Sequence, residues 1–246
     1  CRRQSREKCV EKKDTIHLGG KGMAQSQQGH RYKKDWPQEH LDYISQNYKA
    51  GITVPVNVTI DAEQHVLSME NVKRILSGAT KISVMDCYCR LTFGRCDGPV
   101  NVCLDLDRVA ERHIAEFGAR EISMEEALEV LKVSHEAGLV HMAYGHGEFY
   151  EPGTVNSICS CCSCCCGIFS GVLRFGMFPH LLTSHAVAVT DLSSCMDCGD
   201  CLDRCQFGAR GMADGSLSFN KDLCFGCGLC LSTCPTSAIA LVATHS

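Results

Sequence analysis

Eight cysteines fall between residues 195 and 235 in two runs, "CMDCGDCLDRCQ" and "CFGCGLCLSTCP", each with the spacing C-x2-C-x2-C-x3-C. Thiolates are metal ligands, and in a chain whose thiols stay reduced, closely spaced cysteines bind metal rather than form disulfides. Two-residue gaps let a short loop turn one thiolate after another onto neighbouring metal atoms. The second run repeats the first at an offset of 29 positions: Cys195, Cys198, Cys201 and Cys205 return as Cys224, Cys227, Cys230 and Cys234. Gly199 returns as Gly228 and Ala209 as Ala238, so the segment is an internal duplication. Paired structural zinc sites are the rival chemistry. The absence of histidine from both runs and the closing Cys234-Pro235 argue against zinc.

A denser group lies upstream. "CSCCSCCCG", residues 159–167, puts six cysteines into eight positions. Neighbouring cysteines rarely offer the geometry a disulfide needs. Cys159, Cys162 and Cys165 share the two-residue gaps of the downstream runs, Cys161 and Cys164 form an offset pair, and Cys166 is left over. Consecutive side chains point in different directions, so the interleaved frames predict ligands for two different sites. A second loop, "CYCRLTFGRCDGPVNVC", adds Cys87, Cys89, Cys96 and Cys103. The ten cysteines suffice for two four-ligand sites with two thiols over. The favoured reading is metal-cluster ligation shared between the two loops. A zinc site, a set of reduced thiols or a redox-active dithiol remain alternatives.

The duplicated segment closely resembles the bacterial two-cluster ferredoxin. In that motif the fourth cysteine of each run serves the other cluster. The resemblance implies one [4Fe–4S] cluster on Cys195, Cys198, Cys201 and Cys234, and a second on Cys224, Cys227, Cys230 and Cys205. Gly199, Gly226 and Gly228 suit loops that bring backbone close to an anionic cluster. "AVAVTD" and "AIALVA" flank the runs as candidate paired strands, and "GSLSFN" as part of a hairpin between them. Gln206 stands where the second copy has Pro235, and Arg204 and Arg210 stand where it has Thr233 and Ile239. Positive charge favours a reduced cluster, so the cluster beside these arginines is expected to be the easier to reduce.

Elements that position the upstream cysteines follow from periodicity and caps. Helices are predicted over residues 37–51, 68–78 (with Ser68 as N-cap), 106–118, 123–138 (with a Ser123/Glu126 capping box) and 167–182. Strands are predicted over residues 54–60, 139–146 and the stretch "KISVMDCYCR". The expected class is α+β or α/β, with a cysteine-rich α/β domain at residues 23–186 and a ferredoxin-like domain at 187–246. Residues 1–22 are basic and poor in large apolar side chains, and Met23 follows a Gly-Gly-Lys-Gly tract. They read either as a non-native leader, leaving Cys1 and Cys9 without function, or as a disordered basic arm.

Composition bounds the rest. The chain has 246 residues, 20 cysteines and a net charge of −4, with acids and bases mixed along it, which gives no reason to expect nucleic acid. No apolar stretch approaches the ~20 residues a membrane span needs, and no secretory leader is apparent. A reduced cytoplasmic setting follows. Neither a Walker-type phosphate loop nor a G-x-G-x-x-G fingerprint is present, so no bound nucleotide or flavin is expected. His135, His141 and His146 cluster as a possible extra ligand or proton relay, or as ordinary core residues. Arg90 reads as a donor to cluster sulfide, an anion site, or a surface charge.

The whole chain after Met23 is similar to cysteine-rich iron–sulfur proteins of anaerobic bacteria and archaea, in which a CxCR loop and a CxCC-rich loop precede a two-cluster ferredoxin module. That resemblance implies cytoplasmic electron transfer with redox partner proteins. The expected cofactors are two [4Fe–4S] clusters and one or two further iron–sulfur clusters upstream. A non-catalytic carrier or electron-transfer subunit is the first reading. The second is a reductase whose upstream cysteine site acts on a small substrate with electrons from the ferredoxin domain. The sequence leaves the oligomeric state open.

Overall fold

The computed structural model describes residues 48–54, 69–146, 154–175 and 186–243, with a few isolated positions beside them. The 1–22 segment, Ser68 and the predicted strand beyond Val54 lie outside the described residues. Within them the chain forms β1 (Tyr48–Val54), α1 (Met69–Gly78), β2 (Ile82–Asp86), α2 (Tyr88–Phe93), β3 (Asn101–Leu106), α3 (Asp107–Glu116), β4 (Arg120–Glu121), α4 (Met124–Glu136), β5 (Val140–His146), β6 (Ser157–Cys161) and α5 (Gly167–Phe175). The C-terminal part adds β7 (Ala186–Thr190), α6 (Asp200–Arg204), β8 (Arg210–Ala213), β9 (Ser216–Phe219), a 3-10 turn at Lys221–Leu223, and β10 (Ile239–Ala243).

Six strands make one sheet in the order β1-β5-β6-β3-β2-β4, and every pairing in it is antiparallel. The predicted alternation of helix and strand is there, but the pairing makes the domain α+β and not α/β. β5 and β6 are neighbours in sequence and pair directly, and β6 is inserted between β5 and β3. β1 also corrects the sequence reading. Tyr48–Gly51 was expected to end a helix, but these residues pair with β5 from Tyr48↔His146 to Val54↔His141. An available sheet edge outweighs a weak local helix preference.

Side chains alternate across a strand, and here the alternation separates two chemistries. Ile82 and Val84 of β2, Leu104 and Leu106 of β3, Ala143 of β5 and Ile158 of β6 face α1 and α4, which contribute Val72, Leu76, Ala127 and Leu131. All are buried, and this is an ordinary aliphatic core. The predicted capping box fixes the start of α4: Glu126 N donates to Ser123 Oγ at 3.2 Å, and Ser123 N donates to the Glu126 carboxylate at 3.1 Å. The opposite face carries Cys103, Cys159 and Cys161, with Cys103↔Cys159, Met142↔Cys159 and Val140↔Cys161 in register.

That thiol-bearing face is covered by α5 and by the C-terminal part. Val140, Met142 and Tyr144 pack with Cys161, Cys166, Ile168, Phe169, Phe207 and Leu229. The Phe169 and Phe207 rings lie 4.7 Å apart, and those of Phe207 and Phe225 4.8 Å apart. Burying Phe207 and Leu229 contributes about 2 kcal/mol each, more than the ~1 kcal/mol of a typical hydrogen bond. Apolar burial therefore holds the two parts together, and polar contacts set their register. As predicted, β7 and β10 pair as flanking strands and β9 joins a hairpin with β8. Among the described residues, no helix is long and apolar enough to cross a membrane.

Candidate metal centres

The duplication is visible atom by atom in the C-terminal loops. Asp191 N donates to Ala238 O at 2.8 Å, and 29 residues on, Asn220 N donates to Ala209 O at 2.8 Å. Ser193 N donates to Asp191 Oδ1 at 2.9 Å, and Asp222 N to Asn220 Oδ1 at 3.0 Å. Gly199 and Gly228 share a left-handed backbone at φ 81° and 78°, and Asp197 and Gly226 match at 54° and 58°. Glycine meets this demand without cost, and aspartate is among the few other residues that tolerate it.

The same symmetry reaches sulfur. Ala209 N donates to Cys205 Sγ at 3.3 Å, and Ala238 N donates to Cys234 Sγ at 3.3 Å. Donors aimed at sulfur stabilise the thiolate form. One cavity, with about 330 Å³ of empty space partly continuous with solvent, is lined by Cys195, Cys198, Cys201 and Cys234 together with Gly199 and Ile239. Three of those cysteines come from the first copy and one from the second.

The ten upstream cysteines gather on and beside the thiol face of the sheet. β2 ends at Asp86 and delivers Cys87, which precedes α2 and its Cys89. Gly94, at φ 52°, ends α2 and sends the chain back towards Cys96. After β6, a tight turn carries Cys162, Cys164 and Cys165 before Cys166 opens α5. Two groups result. Cys96, Cys162, Cys164 and Cys165 hold their Sγ atoms within 4.8 Å of one another. In the other, the Cys87 thiol bonds that of Cys103, which also meets Cys159, while Cys166 meets both Cys89 and Cys161.

The expected Cys159-Cys162-Cys165 frame is therefore split, with Cys159 in one group and Cys162 and Cys165 in the other. Cys161 and Cys162 fall into different groups, as expected of adjacent side chains, but Cys164 and Cys165 fall into the same one, their Sγ atoms 3.8 Å apart. The turn there has no strand alternation to drive neighbouring side chains apart. Cys166, left over in the sequence reading, meets partners in the second group. Its signal was the four-residue gap from Cys161, which spans the turn.

As thiolates these groups are costly to bury without a cation, so without one most of them stay protonated. A hydrogen bond from the Cys103 side and burial push the Cys87 thiol well up, and Cys166 and burial do the same to Cys89. Cys162 and Cys96 are the exceptions. Hydrogen bonds from Cys164, Cys165 and Cys96, with the Arg90 guanidinium, hold Cys162 far below the usual thiol range. The bond to Cys162 opposes it, but hydrogen bonds from Cys164 and Cys165 bring Cys96 down to about 6. Arg90 is 2% exposed, which removes its reading as a surface charge. It donates to Pro99 O, to Ser160 O at 3.1 Å and to Cys162 Sγ at 3.6 Å.

Residues 191–239 match the family model described as a 4Fe-4S dicluster domain. The C-terminal region carries a ferredoxin-like 4Fe–4S module. No relative was found among curated proteins. The cavity lined by four thiols from both copies and the paired amide-to-sulfur bonds fit such a cofactor. With clusters bound, the module supplies one-electron chemistry.

The surroundings of the ferredoxin-like module revise the charge argument made from its sequence. Arg204 donates to His135 O at 2.7 Å and Glu136 O at 3.0 Å, so it caps the C-terminus of α4. The sulfur its charge acts on is Cys227, in the second copy. Arg210 is shared, with hydrogen bonds to both Cys201 and Cys230. Gln206 replaces proline for a reason now evident. Its Nε2 donates to Gly138 O at 2.9 Å, and its Oε1 accepts from Ser163 N at 3.3 Å and Ser163 Oγ at 2.5 Å. Gly138 itself sits at φ 79°, and a Cβ there would meet Arg204 Nη1 at 3.1 Å.

His135 and His141 are core residues. Their rings stack at 6.0 Å, His135 Nε2 bonds Ser232 Oγ at 2.9 Å, and His141 Nδ1 bonds Ser160 Oγ at 3.0 Å. Ser232 Oγ donates to Leu229 O at 3.2 Å, so it accepts from His135 and places that proton on Nε2. Neither histidine joins the sulfur group that closes around a point.

Proposed function

We propose that this chain is an iron–sulfur electron-transfer protein, a carrier or the electron-transfer subunit of an anaerobic cytoplasmic oxidoreductase system working with redox partner proteins. Its two units are residues 23–186 and 187–246. In the second, Cys195, Cys198, Cys201 and Cys234 hold one [4Fe–4S] cluster, and Cys224, Cys227, Cys230 and Cys205 hold the other. The cavity that joins Cys234 to the three first-copy cysteines supports this exchange of ligands.

In the first unit, Cys87, Cys89, Cys103, Cys159, Cys161 and Cys166 supply ligands for a further cluster. The observation that carries the reading is one continuous apolar cluster. It contains Cys159, Cys161 and Cys166 from the sheet side and Cys205 and Cys227 from the ferredoxin-like module, with Phe169, Phe207 and Phe225 between them. Those residues pack the two sets of sulfur into one apolar cluster, and a packed apolar medium between redox centres is what electron tunnelling needs from a protein. Cys198 is exposed, close in sequence to the exposed Met196 and Leu192, and forms a natural entry point for a partner.

Burial favours a carrier over a reductase. Cys87, Cys161, Cys162, Cys164, Cys165 and Cys166 are all buried, and a substrate site needs an open coordination position. The test is anaerobic purification followed by iron and acid-labile sulfide analysis, EPR of the reduced protein, and electron delivery to cytochrome c. Reversible bleaching, interacting cluster signals and transfer to the cytochrome are expected. Colourless, zinc-loaded protein refutes the proposal.

A further inference from the structure

The upstream sulfur atoms are not equally spaced. In the group of Cys96, Cys162, Cys164 and Cys165, Sγ–Sγ separations are 3.7 Å for Cys96–Cys162, 3.9 Å for Cys96–Cys165 and 3.8 Å for Cys164–Cys165. Four thiolates bound to one tetrahedral ion at about 2.3 Å form a tetrahedron with edges of about 3.8 Å. A cubane gives each thiolate its own iron and so sets the sulfurs much farther apart. The chain provides its own control. All eight cysteines of the ferredoxin-like module are described, and no three of them come within 4.8 Å of one another. The module's sulfurs stand around a space, whereas these four converge on a point.

The surroundings agree with a closed ionic site. Cys162, Cys164 and Cys165 are 4%, 6% and 0% exposed and Cys96 is half-buried, so four thiols fill the tetrahedral positions of a largely enclosed site. Four thiolates around a divalent ion carry two net negative charges, and a buried pair of charges needs a counter-ion. Arg90 is fixed in that role by its bonds to Pro99 O and Ser160 O, with its guanidinium on Cys162 Sγ. Gly98 lets the Cys96 loop close over it: a Cβ there would lie 3.3 Å from Arg90 Nε and 3.6 Å from Cys96 Sγ.

We propose that Cys96, Cys162, Cys164 and Cys165 bind a single tetrahedral metal ion of the zinc or iron class, distinct from every iron–sulfur cluster of the chain. The ion ties the loop after α2 to the turn after β6. The site does not depend on the ferredoxin-like module being loaded.

Cluster iron is matched one for one by inorganic sulfide, and a thiolate-bound single ion has none. In anaerobically purified full-length protein, iron plus zinc should therefore exceed acid-labile sulfide by about one atom per chain. The Cys96→Ser/Cys164→Ser double variant should lose that atom while sulfide stays unchanged; the visible spectrum also stays unchanged if the atom is zinc, and loses only the thiolate-to-ferric bands if it is iron. Loss of zinc or loss of iron identifies the element, and either supports the site. Equal metal and sulfide in the native chain overturns it, as does a variant that loses about four irons with their sulfides. Should the variant fail to fold, the metal excess of the native chain decides alone. Protein lacking cluster iron and sulfide but keeping the excess atom would refute the electron-transfer reading and leave this site standing.

Discussion

Arg210 lies between Cys201 and Cys230, its guanidinium hydrogen-bonded to both sulfurs, although those cysteines are assigned to different clusters. It is 2% exposed, and it also donates to Thr190 Oγ1 at 2.8 Å. A buried positive charge shared this way stabilises the reduced form at both sites. Arg210→Gln should lower both cluster potentials by tens of millivolts, measured by EPR-monitored redox titration. A shift confined to one cluster would contradict the shared position.

Arg204 gives the contrasting case. Its charge acts on Cys227 and its hydrogen bonds go to the end of α4. Arg204→Gln should lower only the potential of the cluster held by Cys205, Cys224, Cys227 and Cys230. The same titration separates the two outcomes, because the unaffected cluster serves as an internal reference.

Gln206 bridges Gly138 and Ser163 across the boundary between the two parts. Gln206→Ala leaves a buried carbonyl and a serine unpaired at a cost of about 1–3 kcal/mol. The apolar contact through Phe207 remains, so the two parts should stay associated but open more often. Hydrogen exchange should speed up in α5 and at Cys162–Cys166, while amides of the aliphatic core in α1 and β2 keep their rates.

Burial holds the His135 imidazole down to about 4, with Arg204 adding to it, and burial with His135 holds His141 down to about 3. Both rings are neutral in the folded protein. An unfolded chain takes up these protons near the ordinary histidine value, so stability is complete above pH 6.5 and falls as pH drops towards 4. By pH 5 the loss is about 2 kcal/mol per imidazole. Denaturation of native protein and of His141→Asn at a series of pH values checks this, and the variant should show a shallower decline.

The C-terminal geometry was legible because a repeated local pattern carries it. The 29-residue offset predicts paired turns, and the matching φ angles at Gly199 and Gly228 are its direct expression. The capping box at Ser123 was legible for the same reason, since four consecutive residues contain it. The upstream thiols were not. Their grouping depends on β6 lying between β5 and β3, so that Cys103 and Cys159 become neighbours across 56 residues of sequence (159 − 103). No local spacing encodes that insertion. The turn at Cys162–Cys165 misled for a related reason: a rule drawn from strand alternation was applied to residues outside a strand. Gln206 was visible as a departure from the repeat, but its partner Ser163 could be found only in three dimensions.

The place of β6 also orders events as the protein is made. Cys96 leaves the ribosome long before Cys162, and until β6 has slotted into the sheet Cys96 and Cys103 lack the partners that Cys162 and Cys159 provide. A nascent chain halted before residue 157 would pair Cys87 with Cys103 but leave Cys89 and Cys96 without the Cys166 and Cys162 thiols they meet in the folded protein. The grouping of the upstream thiols therefore waits for translation to pass that strand.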